Sequence, residues 1–280
     1  MAVLLALCSA LAYGLSDFLG GFLARRTSAW SVAVVGQTAA ALCSAVVALN
    51  VPGHPRPVDF WWAMLAGLGS GAGTGFLYRG FSTGRMSVVA PVSAVGAAVV
   101  PVVAGTITGE RPSPLVWIGI AAALPGIWLV SRTEGGTDPG RRGSVAAGLV
   151  DGLLAGLSFG LLFAALGQVP RSAGWWPLTV AQAVSLPTVI VLATLLGAAW
   201  VPRGRPVRLA AVCGVLGATA TGTFLLASQR GFLTVAGVLA SLYPASTVLL
   251  AAVLLHERVH RAQGAGLALC AVAVACVAAG

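Results

Sequence analysis

Long apolar runs dominate this chain, and charge, proline or glycine ends each of them. A helix needs about 20 predominantly apolar residues to cross the hydrocarbon core of a bilayer. On that measure the breaks leave ten spans, near 2–23, 29–50, 59–82, 86–107, 113–131, 144–167, 174–199, 208–229, 233–255 and 262–279. The connections are short and polar, as in Val51-Pro52-Gly53-His54-Pro55-Arg56-Pro57. The longest runs from Arg132 to Gly143 and stands at the middle of the sequence, where a linker belongs. The first run continues from Ala2 to Leu23 and ends at Arg25-Arg26, with no basic segment before it. It reads as a retained first helix rather than a removable signal. The pattern predicts an all-α integral membrane fold of ten transmembrane helices.

The two sides of the linker resemble each other. Tyr13-Gly14 is answered by Phe159-Gly160, Gln37 by Gln182, and Tyr78-Arg79-Gly80-Phe81 by Gln229-Arg230-Gly231-Phe232. Glu110-Arg111 returns as Glu257-Arg258, and Gly119 as Gly266. Matches in one order predict a duplication, with residues 1–142 and 143–280 as its two units. Each unit holds five spans, an odd number, so the second enters the membrane from the opposite side. Inverted repeats of this kind are an architecture of secondary transporters, with the site between the halves.

Composition agrees. Hydrophobic residues make up 58% of the chain and charged residues 8%, against roughly 45–50% and 25% in soluble proteins. The formal net charge of +9 is no nucleic-acid signature. All basic residues are arginines, placed singly or in small groups at the ends of apolar runs, where headgroups are met. Cys8, Cys43, Cys213, Cys270 and Cys276 lie within apolar runs, without CxxC or metal-ligand spacing, and read as packing residues. No cofactor or metal is implied.

Several stretches resemble the drug/metabolite transporter superfamily, and within it the ten-helix EamA-type members. Leu11-Ala12-Tyr13-Gly14-Leu15-Ser16-Asp17-Phe18 is similar to the family's first-helix motif, with Tyr13 where Trp is common. Ala90-Pro91-Val92-Ser93-Ala94, Pro101 and Gly109-Glu110-Arg111 resemble the fourth helix and its end. Ser241-Leu242-Tyr243-Pro244-Ala245-Ser246-Thr247 through His256-Glu257-Arg258 resembles the ninth. The resemblance covers almost the whole chain. It implies export or uptake of small metabolites, often coupled to protons.

Polar groups inside a membrane are costly, so their positions are informative. Tyr13, Ser16 and Asp17 fall at i, i+3 and i+4, on one face of the first span. Asp17 reads as the one acid well inside a span, able to take and release a proton or to bind a cationic group; a structural ion pair with Arg79 or Arg85 is the alternative. Arg79, Arg85 and Arg230 fit attraction of an anionic group, or headgroup contact by snorkelling. Mid-helix Gln37 and Gln182 each have a donor and an acceptor to satisfy, so both are expected to face the bundle interior. Tyr78 ends a row with Ser70 and Thr74, and Thr219 and Thr223 form a stripe leading to Arg230. Tyr243 offers a hydroxyl and a ring in span nine. The expected cavity opens between the halves, lined by spans one, three, four, six, eight and nine. Glu110 and Glu257 are expected to hold helix ends, and the Gly67-Gly71-Gly75 and Gly148-Gly152-Gly156-Gly160 rows to pack helices closely.

These residues fit a secondary active transporter, an exporter or exchanger of small metabolites, amino acids or amphipathic compounds. The implied partners are a small-molecule substrate, protons and membrane lipids, not nucleic acid. A passive channel is the competing reading, as is a membrane-embedded enzyme, although an Asp-rich diphosphate motif is missing from the sequence. The expected location is the bacterial cytoplasmic membrane. Twelve arginines accompany the odd-numbered connections and four the even-numbered ones. That bias places the odd connections in the cytoplasm. The family resemblance instead favours both termini inside.

Overall fold

In a computed structural model, residues 1–83, 86–130, 145–246 and 261–280 are described. The described residues are helical, without strands. The principal helices are α1 (Ala2–Ala24), α2 (Ala29–Asn50), α3 (Pro57–Thr83), α4 (Met86–Ile107) and α5 (Pro114–Val130) in the first half. In the second half they are α6 (Val145–Leu166), α7 (Trp176–Leu195), α8 (Ala210–Ser228), α9 (Leu233–Ala240) and α10 (Arg261–Ala279). Short helical turns at Arg171–Ala173 and Arg205–Arg208 sit in connections. Among the described residues, six helices are long and apolar enough to cross a membrane by length and composition. The protein is an integral membrane protein of ten helices in two repeats. Helix α9 gives way to a turn at Ser241 and Leu242 and resumes over 243–246. Pro244 lacks the N–H that would continue the helical ladder there. The linker 132–143, Arg85, Glu257 and the rest of span nine lie outside the described residues.

The packing follows the repeat. Exchanging α1–α5 with α6–α10 carries each major helix contact onto another. The α3–α6 contact becomes α8–α1, α4–α6 becomes α9–α1, and α3–α7 becomes α8–α2. The pairs α2–α7, α4–α9 and α5–α10 map onto themselves. These contacts join one repeat to the other, so neither half is a bundle closed on itself.

Helix α3 shows how sequence permits this arrangement. It runs between α6 and α7 and carries two interleaved glycine rows. A Cβ at Gly67 would stand 2.5 Å from the Ala181 carbonyl oxygen and 2.7 Å from Val184, both on α7. A Cβ at Gly73 would stand 2.6 Å from the Phe159 ring on α6. On α6, Gly152, Gly156 and Gly160 face α4 around Val92, Ser93 and Val100. Small residues let backbones approach and gain dispersion where lipid supplies no hydrophobic drive between helices.

The outer surface is that of a lipid-solvated protein. Leu4, Leu42, Val46, Leu49, Ile107, Leu157 and Leu195 are exposed apolar side chains on helix exteriors. Trp61, Trp117 and Trp176 are exposed near the starts of α3, α5 and α7, at one end of the bundle. Trp128 is exposed near the opposite end. Indole rings at both ends match the interfacial belts of membrane proteins.

Each end is tied by contacts between repeats. At the end with the odd-numbered connections, the Ser31 hydroxyl donates to the Val201 carbonyl at 3.2 Å, and Arg79 pairs with Asp151. At the other end, the His54 amide donates to the Ser172 carbonyl at 2.7 Å. There the Glu110 carboxylate accepts from the amides of Leu233 and Thr234, the latter at 2.9 Å. A carboxylate at a helix N-terminus satisfies orphan amides and the helix dipole together. Glu110 therefore holds a helix end, as its place beside a short turn suggests; the companion Glu257 falls outside the described residues.

Candidate functional site: a polar cavity between the repeats

Helices α1, α2, α3, α6, α7 and α8 line a cavity of about 50 Å³. Space of that size holds a few small molecules such as water. Its polar lining includes Tyr13, Ser16 and Asp17 from α1, Gln37 from α2, Ser70, Thr74 and Tyr78 from α3, and Gln182 and Thr221 from α7 and α8. Helices α2 and α7 thus line the cavity, where spans four and nine were expected. The reason lies in the glycine contacts: α2 meets α8 at Gly36 and Gly214, and α3 meets α7 at Gly67 and Gly71. Close approach there brings the two glutamines to the centre.

Those glutamines make repeat-related hydrogen bonds. Gln37 Nε2 donates to Thr74 Oγ1 at 3.0 Å and lies 3.4 Å from Ser70 Oγ. Gln182 Nε2 donates to Thr221 Oγ1 at 2.9 Å. Ser70 and Thr221 are equivalent in the repeat, at the same offset as Arg79 and Arg230. The Thr221 hydroxyl lies 2.8 Å from the Gly217 carbonyl of its own helix. It donates there, so its oxygen is left to accept, which fixes the amide orientation of Gln182. The two sites then differ. Gln37 Oε1 accepts from the Ser185 hydroxyl at 2.9 Å. Gln182 Oε1 is buried with no hydrogen-bond partner, as is the Tyr13 hydroxyl.

The described acids sort cleanly. Asp59 accepts from the Arg56 amide at 2.7 Å and closes the start of α3. Glu110 caps α9. Asp151 pairs with Arg79, whose Nε lies 3.0 Å from Oδ1. Only Asp17, among the described acids, faces the cavity and has no hydrogen bond or ion pair. Asp151 corrects the expectation that Asp17 is the lone acid within a span, because Asp151 is 3% exposed inside α6. The α3–α6 crossing sets the Arg79–Asp151 pair across 72 positions of sequence, a distance over which spacing alone is uninformative.

The remaining candidates lie elsewhere. Arg79 is held by Asp151 and stands over the Phe76 ring at 4.9 Å. Arg230 is exposed at the end of α8, with Nη1 donating to the Leu226 carbonyl at 3.0 Å. Arg85 is outside the described residues. The Tyr243 hydroxyl is 2.8 Å from Ser93 Oγ, and its ring centre is 6.4 Å from that of Tyr13. Tyr243 therefore backs the cavity from behind Tyr13. Thr219 and Thr223 bond to carbonyls of their own helix and leave the cavity to Thr221. The repeat offset from Ser70 was the signal that could have found Thr221.

Comparisons with known proteins follow the same division. A model of the EamA-like transporter family matches residues 1–132 and again residues 146–279. No curated protein matches the sequence. A solved structure described as "Crystal structure of protein" superposes with a TM-score of 0.76 at 18% identity, covering 98% of this chain and 95% of the other. At that identity the likeness concerns the fold.

Proposed function

Since the chain belongs to the EamA-like transporter family, we propose that it is a secondary active transporter working by alternating access, with its central site in the cavity between the repeats. One observation carries this reading. Of the described acids, Asp17 alone is left without a structural partner, and it faces a cavity with a largely polar lining at the junction of both repeats. A buried carboxylate without a partner is costly, and a protonated carboxyl or an ion-paired one is far less so. A bound proton or cationic cargo thus lowers the cost of carrying Asp17 through a dry stage of the cycle. The two units, 1–142 and 143–280, then rock about the site. The Arg79–Asp151 and Glu110–α9 contacts open alternately at the two ends. The bacterial cytoplasmic membrane is the proposed location.

Counterflow separates this reading from its competitors. Proteoliposomes are loaded with an unlabelled amine or amino acid and given a trace of the labelled compound outside. A carrier produces a transient overshoot of label inside. A channel produces a monotonic rise to equilibrium, and a non-transporting protein the rate of protein-free vesicles. Either of the last two results, across a panel of amines and amino acids, overturns the proposal.

A further inference from the structure

The repeat is broken at the cavity itself. By the repeat offset, Tyr13, Ser16 and Asp17 on α1 correspond to Phe159, Leu162 and Phe163 on α6. Phe159 and Leu162 line the same cavity as Tyr13, Ser16 and Asp17. One wall is therefore polar and the related wall is apolar. The unsatisfied groups on the polar side are mainly acceptors: the Asp17 carboxylate, with no partner among the described residues, and the buried Gln182 Oε1. The Tyr13 hydroxyl, also unpaired, can accept as well as donate. The two described arginines among the candidates for attracting an anion are engaged or turned away. Arg79 is committed to Asp151, and Arg230 is exposed at a helix end.

Resting on the transporter reading, we infer that the cargo is a small amphipathic monocation carrying at least one N–H donor and a short apolar body. The positive N–H end meets Asp17 and the Gln182 oxygen, and the apolar body lies on Phe159 and Leu162. Among the described residues the polar wall offers a carboxylate cargo no cationic partner and would repel it. An alcohol satisfies one acceptor and leaves the carboxylate without a counter-charge. A cation without N–H leaves Gln182 Oε1 unpaired, which buried polar groups do not tolerate cheaply. The small cavity limits the body to a few carbons unless the helices part.

Calorimetric titration of the purified full chain tests this. The probes are ethyl-, propyl- and butylammonium, with tetramethylammonium, butanol and butyrate as comparisons. The expected result is saturable binding of the alkylammonium ions, tightening about fourfold per methylene as apolar area is buried. Butanol, butyrate and tetramethylammonium bind at least tenfold more weakly than butylammonium. Asp17→Asn weakens butylammonium at least tenfold at an unchanged melting temperature. If Asp17→Asn fails to fold, the wild-type series decides alone. Butyrate binding as tightly as butylammonium overturns the inference, as does affinity independent of chain length or absence of alkylammonium binding. Counterflow keeps the two readings apart. Alkylammonium binding without counterflow removes the transporter and leaves the cation site. Counterflow of other compounds without alkylammonium binding removes the cation and leaves the transporter.

Discussion

Gln37 and Gln182 occupy equivalent places in two repeats and have different surroundings. Gln37 is engaged at both ends of its amide by Thr74, Ser70 and Ser185. Gln182 donates to Thr221 and leaves its oxygen unpaired. Gln37→Ala should therefore destabilise the protein by about 1–3 kcal/mol, because it strands buried partners. Gln182→Ala should cost less and weaken cargo binding more. Thermal unfolding in detergent, paired with titration, checks the contrast, and equal losses in both assays contradict it. Asp17→Asn distinguishes the roles open to the acid. If Asp17 couples transport to protons, the variant loses pH-driven flux and keeps exchange at equal pH; if it recognises charge, both fail together. Normal pH-driven flux in a folded variant excludes both. Much at this scale was legible in the sequence, since a mid-helix amide or acid has to point inward. Which polar groups meet was not. Asp151 took Arg79, and Thr221 rather than Thr219 or Thr223 reached the cavity. Those outcomes depend on helix crossings and rotations that no single helix encodes.

At the scale of elements, glycine spacing determines how closely α3 fits between its neighbours. The Gly67-Gly71-Gly75 row was visible as a packing stripe, and in the structure Gly67 and Gly71 meet α7 while Gly75 meets Trp30 of α2. The second row, Gly69 and Gly73, faces α6, and sequence reasoning missed it because the two rows interleave. Gly67→Ala places a methyl group against the Ala181 carbonyl and Val184, so helix separation must increase. We expect a loss of about 1–3 kcal/mol, the range for overpacking. Gly264→Ala on α10 meets nothing within 4 Å and should be neutral or slightly stabilising. Thermal unfolding of both variants checks this, and equal melting temperatures contradict it.

At the scale of the whole molecule, the two ends of the bundle differ in chemistry although the helices are related by the repeat. Arg79 and Arg230 are equivalent, yet the position equivalent to Asp151 is Leu5. Only the end with the odd-numbered connections therefore carries this ion pair, whose Asp151 is almost fully buried. Asp151→Asn should shift the population toward states open at that end, since a ligand or substitution moves an equilibrium only by what it does differently to the two states. Pairing Arg79→Asp with Asp151→Arg should restore part of the closed population. The most direct test of alternating access needs no cargo. Cys213 is 3% exposed and lines the cavity. With Cys8, Cys43, Cys270 and Cys276 replaced by alanine, a membrane-impermeant thiol reagent is applied to right-side-out and to inside-out vesicles. Under alternating access Cys213 reacts from both sides, and Asp151→Asn speeds reaction at the odd-connection end while slowing it at the other. Reaction from one side only, or from neither, would contradict alternating access through this cavity.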